Sequence, residues 1–455
     1  MRTWNFESDG QRRLSIYAPD GSTKILRHRL HSEFFASSIG AKLSTLQLDL
    51  LSIASSVHAA DRLAKRRLSA MESRVSPRRI HLKVQVQRPD HWNTQPILES
   101  LIDALCFLTN DSWSFEFLAQ VRPTPAPPYQ AYLPNPGPTG VGLFSGGLDS
   151  LSGLALEMAR SKFESFIPVA IGLNSRLLNR QCKILSRALK LQGIQIKPLI
   201  IPFRISQSKA DYNHNETSQR TRGFLFGSLG FIAAQLAGAK AVQIYENGVG
   251  SLNLPLTSAQ IGVHNTRSTH PVALRKLENF FHLAFEDHLS FELPFGLDTK
   301  AVACSLLADS PLRQVVTMTV SCDGFPQRHR RGDQCGACTS CILRRQALWS
   351  AGITEDLNPG QYRYDLFSQS DIAVEKLAPL LDMSRQVDNL RRCVESPSPW
   401  EDLTISFPSL LEIPSATHNM MAERIIQKKL VALYRAYCHE WRDFPMAFLP
   451  ALKAA

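Results

Sequence analysis

VGLFSGGLDSLSGLAL, residues Val141 to Leu156, joins a short apolar run to an apolar pattern with helical spacing through the segment SGGLDS. The stretch predicts a buried strand, a tight turn and a helix, in that order. Two adjacent glycines allow the turn and let an anion approach the backbone, whose N–H groups and helix N-terminus then face it. The predicted phosphate-binding loop consists of Ser145, Gly146, Gly147, Leu148, Asp149 and Ser150.

Asp149 narrows the kind of anion site that this loop could form. A carboxylate repels phosphates, so its presence fits either a Mg²⁺ ion that bridges it to the phosphates or a helix cap. The spacing matches neither the G-x-x-x-x-G-K-[ST] of a Walker A loop nor the G-x-G-x-x-G of a dinucleotide-binding turn.

Downstream of Gly140, short apolar runs alternate with helical patterns. Strands are predicted for VGLF, FIPVAIGLN, IKPLIIPF, AVQIYENG and VVTMTVSC (residues 315–322). Helices are predicted after Leu148 and over NRQCKILSRALKLQG, RTRGFLFGSLGFIAAQLAGA and HPVALRKLENFFHLAFE. Such alternation indicates an α/β fold with a parallel sheet, in which ligands lie beyond the carboxyl ends of the strands. Glu246 and Asn247, at the end of the fourth strand, are therefore candidate substrate-binding residues.

Four of the nine cysteines are clustered, with the spacing C-x12-C-x2-C-x2-C. Four thiolates in this arrangement can close a tetrahedral Zn²⁺ site with no open position, which is a structural site. An iron–sulfur cluster is the alternative, because it also takes four cysteines. The predicted metal ligands are Cys322, Cys335, Cys338 and Cys341.

The composition is that of a globular protein. The chain has 455 residues, of which 44% are hydrophobic and 20% charged, and its formal net charge is +11. The basic residues are scattered, which favours anionic small molecules or an acidic partner protein over direct nucleic-acid contact. There is no apolar run long enough to cross a membrane and no signal-peptide pattern at the N-terminus, so we expect a cytoplasmic protein that does not bind membranes.

The texture of the sequence divides the chain into four segments. Residues 1–121 mix strand and helix patterns and predict an α+β domain. Strands are predicted over IHLKVQV and SWSFEFLAQ, and a helix over TQPILESLIDALCFL. The stretch STLQLDLLSIASSVHAADRLAKR has a strand-like pattern at its start and a helical pattern after it. Residues 122–139 are rich in proline and predict a stiff linker. Residues 140–350 form the α/β core, and residues 351–455 are mainly helical.

The string SGGLDS resembles the pyrophosphate loop of the N-type ATP pyrophosphatases, which split ATP to AMP and pyrophosphate and adenylate a substrate oxygen. Within that superfamily, the cysteine segment is similar to the zinc site of the 7-cyano-7-deazaguanine synthase (QueC-like) family. The residues that match this zinc site are Cys322, Cys335, Gly336, Cys338, Cys341, Leu343 and Arg344. Both motifs occur in the family's order and cover about Val141 to Leu348, a little under half of the chain. The resemblance implies a PP-loop ATPase core with a structural Zn²⁺.

The resemblance also implies roles for individual residues. ELPFGLDTKAVACSLL is similar to a family segment of Pro, a spacer, Thr-Lys and a helix, which makes Lys300 a candidate contact of the ATP phosphates. Arg222 is matched with the arginine of the family's Pro-Gly-Arg-Asn, and with Lys300 it would neutralise charge on the transferred phosphoryl group. Asp149 would lie near Mg²⁺. His270, within STHP where the family has Tyr-Pro-Asp-Cys-Arg, is a candidate contact of the substrate carboxylate.

The additional segments on both sides of the core are similar to those of the enlarged QueC-like proteins of bacterial anti-phage operons, in the Qat and type IV CBASS systems. This resemblance implies that a 7-deazaguanine carboxylate, 7-carboxy-7-deazaguanine, is activated with ATP. It further implies that the amine which attacks it is the N-terminus of a partner protein from the same defence operon. The alternatives are a small-molecule 7-cyano-7-deazaguanine synthase, serving queuosine or DNA base modification, and a degenerate ATP-binding scaffold.

Overall fold

The computed structural model of the chain describes residues 3–66, 77–123, 125–129, 138–160, 162–191, 195–206, 216, 218–257, 267–324, 334–353, 362–366, 372–414 and 420–444. Its strands are β1 Thr3–Ser8, β2 Arg13–Tyr17, β3 Thr23–Leu30, β4 Arg79–Val86, β5 Ser112–Ala119, β6 Thr139–Leu143, β7 Ser165–Gly172, β8 Gln195–Ile196, β9 Leu199–Ser206, β10 Ala241–Gln243 and β11 Ser290–Glu292.

The helices that the structure describes are α1 Glu33–Ile39, α2 Thr45–Leu63, α3 Pro89–Trp92, α4 Gln95–Thr109, α5 Leu148–Arg160, α6 Ser175–Ala188, α7 Arg222–Ala237, α8 Gly248–Leu252, α9 Pro271–Phe285, α10 Lys300–Ala308, α11 Thr339–Ser350, α12 Val374–Val394, α13 Pro399–Ser406 and α14 Met420–Asp443. Two 3₁₀ helices, Pro311–Met318 and Pro408–Glu412, accompany them. None of the described helices combines the length and the apolar character that crossing a membrane requires.

The strands form one large sheet. Ten of them follow one another in the order β11-β10-β6-β7-β9-β3-β2-β1-β4-β5, and the two-residue β8 pairs with β7. Among the described strands, antiparallel pairing is limited to β1–β2, β2–β3 and β3–β9, and the remaining pairs are parallel. The predicted α/β class with a mostly parallel sheet is therefore confirmed.

The strand order reverses in the middle of the core. β6, β7 and β9 step outward in one direction, whereas the next strand, β10, lies on the other side of β6. A crevice opens at such a reversal, beyond the carboxyl ends of the two strands. The segment SGGLDS follows β6 and the pair Glu246-Asn247 follows β10, so both candidate segments leave the sheet at this crevice.

Three element predictions were wrong, each for a local reason. VVTMTVSC is not a strand. Its first half lies in the 3₁₀ helix Pro311–Met318, where the buried guanidinium of Arg344 donates to the Val316 carbonyl (2.9 Å) in place of a sheet partner. The strand in AVQIYENG ends at Gln243, because Asn247 already caps the next helix. STLQLDLL is helical from Thr45, since Ser44 and Gln47 form a reciprocal capping box.

The N-terminal segment shares its sheet with the α/β core. β1, β2 and β3, which the sequence analysis missed, connect β4 and β5 to the core through the antiparallel pairing of β3 with β9. One continuous hydrophobic cluster includes residues from both parts, and α4 packs against α9 as α2 packs against α7. Of the predicted Pro-rich linker, residues 124 and 130–137 lie outside the described residues.

The helices after residue 372 pack as a separate apolar layer against the core. α12 and α14 pack against each other, and their buried side chains form a cluster with Leu252, Leu254 and Ile342. α14 also contacts α8, which follows β10, and α11, which follows the cysteines. The C-terminal helices therefore lie beside the same crevice as the segment SGGLDS.

Candidate functional site

The segment SGGLDS forms a tight turn between β6 and α5. Gly146 has φ +83°, a left-handed conformation that glycine adopts without strain. The hydroxyl of Ser150 accepts a hydrogen bond from the Ser145 N–H (3.0 Å) and contacts the Ser145 hydroxyl (2.8 Å), which in turn accepts from the Gly147 N–H (3.2 Å). The two serines thus fix the turn at the N-terminus of α5, and Leu148 is completely buried beneath it.

Asp149, in the first turn of α5, is the centre of a polar cluster. The Lys300 ammonium pairs with Oδ2 of Asp149. The Asn247 amide donates to Oδ1 of Asp149 (3.0 Å) and to Oε1 of Glu246 (2.9 Å). The side-chain Oδ1 of Asn247 accepts a hydrogen bond from the Gly250 N–H (3.0 Å) and thereby caps α8. The structure therefore brings together four candidate residues that lie up to 151 positions apart in the sequence.

The electrostatics of this cluster leave one of its two carboxyl groups protonated. Burial and the neighbouring Asp149 charge raise the pKa of Glu246 to about 8, so Glu246 is mainly neutral at pH 7. Burial acts to lower the pKa of Lys300, but the carboxyl groups of Asp149 and Glu246 outweigh it and raise that pKa above its usual value. At neutral pH the cluster consequently holds a carboxylic acid at Glu246 beside the ammonium of Lys300.

The turn and the polar cluster line a cavity of about 850 Å³. Its lining includes Ser145, Gly147, Asp149, Ser150, Arg222, Glu246, Asn247 and Lys300 among the predicted site residues. The volume lies in the range of sites that hold nucleotides and other small ligands. The cavity is therefore the place where the predicted catalytic and phosphate-binding residues meet.

Arg222 supplies positive charge to the cavity. It is the first residue of α7, and its guanidinium lies over the Phe226 ring, 5.0 Å from the ring centre. Within the described part of the chain it has no carboxylate partner, and burial lowers its pKa below the usual value. A half-buried cation without a carboxylate partner among the described residues favours an anionic ligand, because the ligand would then supply the missing charge.

Residues of α2 also line the cavity, although no signal in the sequence singled them out. The His58 imidazole contacts the Thr221 hydroxyl (3.1 Å), and burial lowers its pKa to about 3, so it is neutral at pH 7. The Arg62 guanidinium donates to the Glu216 carbonyl. Both residues appeared in the sequence as ordinary positions of an amphipathic helix, and the packing of α2 against α7 and β3 brings them to the site.

A third group of seven lining residues includes side chains from the C-terminal helices, and the sequence analysis singled out only Leu343 among them, as part of the cysteine motif. This group is named the C-terminal wall and consists of Leu254, Leu256, Leu343, Met383, Gln386, Tyr434 and Tyr437. α12 and α14 contribute four of them. These four residues have the spacing of a buried helix face, and the sequence pattern does not distinguish a residue that packs in the core from one that lines a cavity.

His270 does not line this cavity. It is the cap of α9, where its Nδ1 accepts a hydrogen bond from the Val272 N–H (3.3 Å), and its ring lies 5.7 Å from the ring of Phe107. Burial lowers its pKa to about 4, which leaves it neutral and suited to this acceptor role. The structure thus shows His270 in a helix-capping contact, and its predicted contact with a substrate carboxylate stays a prediction.

The four clustered cysteines converge on one point. Their sulfur atoms all lie within 4.8 Å of one another. The Cys335–Cys341 and Cys322–Cys338 sulfur pairs are 3.9 and 4.0 Å apart, close to the roughly 3.8 Å expected for thiolates bound tetrahedrally to Zn²⁺. The Cys338 N–H points at the Cys335 sulfur (3.2 Å), as suits a charged thiolate. The cluster could therefore bind a metal ion.

The cysteine cluster belongs to the same site region. Cys322 lines the cavity. Gly336 has φ +82°, and a Cβ atom there would stand 1.9 Å from the Tyr364 carbonyl oxygen, so the turn between the cysteines admits only glycine. The Tyr364 N–H donates to the Cys335 carbonyl (2.9 Å), which fastens residues 362–366 to the turn. A metal here would hold one corner of the cavity.

No protein-family model matches the sequence, and a search of curated proteins finds no significant match.

Proposed function

We propose that this protein is an ATP-dependent ligase that adenylates a 7-deazaguanine carboxylate and joins the activated acyl group to an amine. The observation that carries the proposal is the convergence of the turn Ser145–Ser150, Asp149, Lys300 and the Glu246-Asn247 pair in one cavity of about 850 Å³. The four-cysteine cluster at the border of that cavity supports the same proposal, because a QueC-like enzyme requires both motifs beside one pocket.

The chemistry would proceed in two steps. A carboxylate oxygen of the substrate attacks the α-phosphorus of ATP, and pyrophosphate leaves with the electron pair of the broken P–O bond. The amine then attacks the acyl carbon, AMP leaves, and the amine loses a proton as the amide forms. The N-terminus of α5 would receive the pyrophosphate, while Arg222 and Lys300 would neutralise charge that develops on the transferred group.

The contacts of Asp149 indicate how the site would change on ATP binding. Both of its carboxylate oxygens are engaged, one by Lys300 and one by Asn247. A carboxylate is a suitable ligand for Mg²⁺, which would supply charge neutralisation to the ATP phosphates. Lys300 would exchange its carboxylate partner for a phosphate oxygen. The protonated Glu246 would not add to the repulsion between carboxylates and phosphates.

The metal at the four cysteines would be a structural Zn²⁺. Four sulfur ligands would leave no open position for a substrate, so the ion would fix the turn around Gly336 and the start of α11. In this proposal its contribution to catalysis is to hold the cavity border, including Cys322, in place.

The acceptor amine would be the N-terminus of a partner protein from a bacterial anti-phage operon. The cavity is lined by residues from three parts of the chain, with His58 and Arg62 on one side and Gln386 and Tyr434 on another. Ammonia needs no docking surface, whereas a polypeptide must be held while its terminus enters the cavity. The two flanking regions that reach the site therefore favour a protein acceptor over ammonia.

The test combines two measurements. The purified chain is supplied with ATP, Mg²⁺ and 7-carboxy-7-deazaguanine, and pyrophosphate release is followed. The protein encoded beside this chain is then co-expressed with it and its intact mass is measured. We expect pyrophosphate release and a mass increase equal to the deazaguanine acyl group, both abolished by Asp149→Ala and retained by Asp309→Ala, which alters an exposed aspartate of α10's C-terminus.

Two results would contradict the proposal in different ways. Formation of the free nitrile from the carboxylate, ammonia and ATP, without any protein adduct, would identify a small-molecule synthase. A lack of pyrophosphate release with the carboxylate and every amine tested, in a chain that still binds ATP, would identify a nucleotide-binding scaffold.

A further inference from the structure

We propose that the C-terminal wall is a second subsite of the cavity, which binds an uncharged planar heterocycle whose one anionic group lies toward Lys300. The inference rests on the proposed function, in which this ligand is the base of the deazaguanine carboxylate. It assigns base recognition to helices α12 and α14, which lie outside the region that carries the two sequence motifs.

The chemistry of the wall differs from that of the rest of the cavity. Arg62, Arg222, Asp149 and Lys300 give the remainder of the cavity formal charges, whereas every residue of the C-terminal wall is uncharged. Leucine, methionine and tyrosine side chains provide apolar and aromatic surface, on which a flat ring system can stack. A triphosphate would find no counter-charge there, so the wall suits the uncharged part of a ligand.

Tyr434 provides a polar group within this apolar surface. Its side chain is only 1% exposed, and its hydroxyl forms no hydrogen bond with any of the described residues. A buried hydroxyl without a partner is costly, and natural proteins seldom retain one without a reason. Because Tyr434 lines the cavity, a ligand in this subsite would supply the missing partner.

Gln386 provides a second, oriented polar group. Its amide nitrogen donates to the carbonyl oxygens of Leu254 (3.0 Å) and Pro255 (2.9 Å). Both of its N–H groups are therefore used, and the carboxamide oxygen has no hydrogen-bond partner within the described chain. An acceptor held in a fixed orientation can select a ligand edge that carries N–H donors, which the edge of a guanine-like base does.

The wall adjoins the charged cluster through α14. The Glu440 carboxylate of that helix accepts a hydrogen bond from the Thr299 hydroxyl, and Thr299 is the cap of the helix that begins with Lys300. Leu433, next to Tyr434, lies against Gly248 at the start of α8, one residue after Asn247. A heterocycle on the wall can therefore carry a carboxylate to the neighbourhood of the Lys300 ammonium.

The experiment measures the binding of two probes by calorimetry. The probes are 7-carboxy-7-deazaguanine, added in the presence of saturating α,β-methylene ATP, and α,β-methylene ATP alone. For Tyr434→Phe we expect about tenfold weaker binding of the carboxylate, equivalent to one hydrogen bond, and unchanged binding of the nucleotide. The thermal midpoint of the free variant should not fall, since the lost hydroxyl has no partner. Tyr17→Phe, on an exposed strand, should change neither affinity.

The outcomes separate this inference from the proposed function. Failure of the wild-type protein to bind the carboxylate would reject the proposed function and this subsite together. Wild-type binding that Tyr434→Phe leaves unchanged would overturn the subsite alone. A loss of nucleotide affinity in Tyr434→Phe, with carboxylate binding unchanged, would also overturn it, because the wall would then hold the adenine.

Discussion

The N-terminal region and the C-terminal helices border the same cavity but are attached to the core in different ways. β3 extends the core sheet by pairing with β9, and beneath it Asp61, Arg66, Arg78 and Asp111 form a buried ion-pair network. The C-terminal helices pack through apolar side chains, and their ion pairs among the described residues join residues of this helical region to one another.

This difference has consequences for how each side supports the site. The Asp61 carboxylate accepts hydrogen bonds from the Thr221 N–H (3.1 Å) and hydroxyl (2.9 Å), so the network holds the residue just before Arg222. Among the described residues, the C-terminal side reaches the neighbourhood of the polar cluster through a hydrogen bond from the hydroxyl of Thr299, the cap before Lys300, to the Glu440 carboxylate. Charge therefore positions the N-terminal border of the cavity, while apolar packing and the cysteine cluster position the other.

Removing the metal should have the largest effect, and it should act mainly on the C-terminal side. We expect about one zinc per chain by elemental analysis, and chelation to remove a stabilisation on the order of 10 kcal/mol at the metal site. Hydrogen exchange should then increase in α11, α12 and α14 and remain low in β1–β5. Cys341→Ser should reproduce the effect, and Cys182→Ser, which changes an exposed thiol outside the cluster, should not.

Iron in place of zinc would reject the zinc assignment. If chelation increased hydrogen exchange in β1–β5 as much as in α11, α12 and α14, the N-terminal and C-terminal sides would unfold together, and the difference between them would be rejected.

Breaking the buried ion network should have the next largest effect. Asp111→Ala leaves the guanidinium groups of Arg66 and Arg78 without this counter-ion in the interior. We expect a loss of about 3–5 kcal/mol in the free energy of unfolding by chemical denaturation. Glu116→Gln, which removes an exposed ion pair with Lys83, is the matched control and should be indistinguishable from wild type. A loss no greater than that of the control would show that charge does not hold the N-terminal side.

The pH dependence of stability should distinguish the polar cluster of the core from the N-terminal side. The pKa of Glu246 is raised to about 8, against about 4.3 when unfolded, so between these values the folded state binds one more proton and stability falls as pH rises. From pH 6.5 to 7.5 we expect this group to contribute a fall of about 1.4 kcal/mol per pH unit. The lowered pKa values of His28 and His58, about 4 and 3, act oppositely, since their stabilisation is lost as pH falls below about 6.5.

Denaturation of wild type and Glu246→Gln at several pH values isolates the contribution of Glu246, because the histidines cancel in the difference. The free energy of unfolding of wild type should fall relative to that of Glu246→Gln as pH rises to about 8. Parallel stability curves across this range would contradict the protonated state of Glu246.

The smallest effect should come from His270. His270→Ala removes the cap of α9, which should cost about 1 kcal/mol of stability. Pyrophosphate release should remain unchanged, because His270 caps a helix and does not line the cavity. His270→Asn, which retains a capping acceptor, should restore most of the stability. A selective rise in KM for 7-carboxy-7-deazaguanine in both variants would support the substrate-binding role that the sequence predicts for His270.

The parts of the site that the sequence predicted are those where local chemistry determines geometry. Two glycines after an apolar run require a turn, and four cysteines at short spacing can converge on one point without help from distant parts of the chain. Glu246 and Asn247 could be placed because the carboxyl ends of parallel strands share one edge of the sheet. Each of these inferences needs only the chain near the residue and a general property of sheets.

The parts that the sequence did not predict depend on tertiary contacts. VVTMTVSC has the β-branched composition of a strand, but the buried Arg344 satisfies its backbone instead of a neighbouring strand. His58 and Tyr434 reach the cavity through tertiary contacts, in which α2 packs against α7 and α14 packs against α8. A helical stripe reveals that a face is buried, yet it does not distinguish a core contact from a cavity lining.

The antiparallel pairing of β3 with β9 also protects the solubility of the core. Without residues 3–30, β9 would become an edge strand with a free row of N–H and C=O groups, and such edges recruit strands from other molecules. A chain shortened to begin at residue 138 would present that edge to its own copies. By covering the edge of β9, the N-terminal strands would therefore oppose aggregation, even if the helices of the N-terminal region had no part in binding a partner.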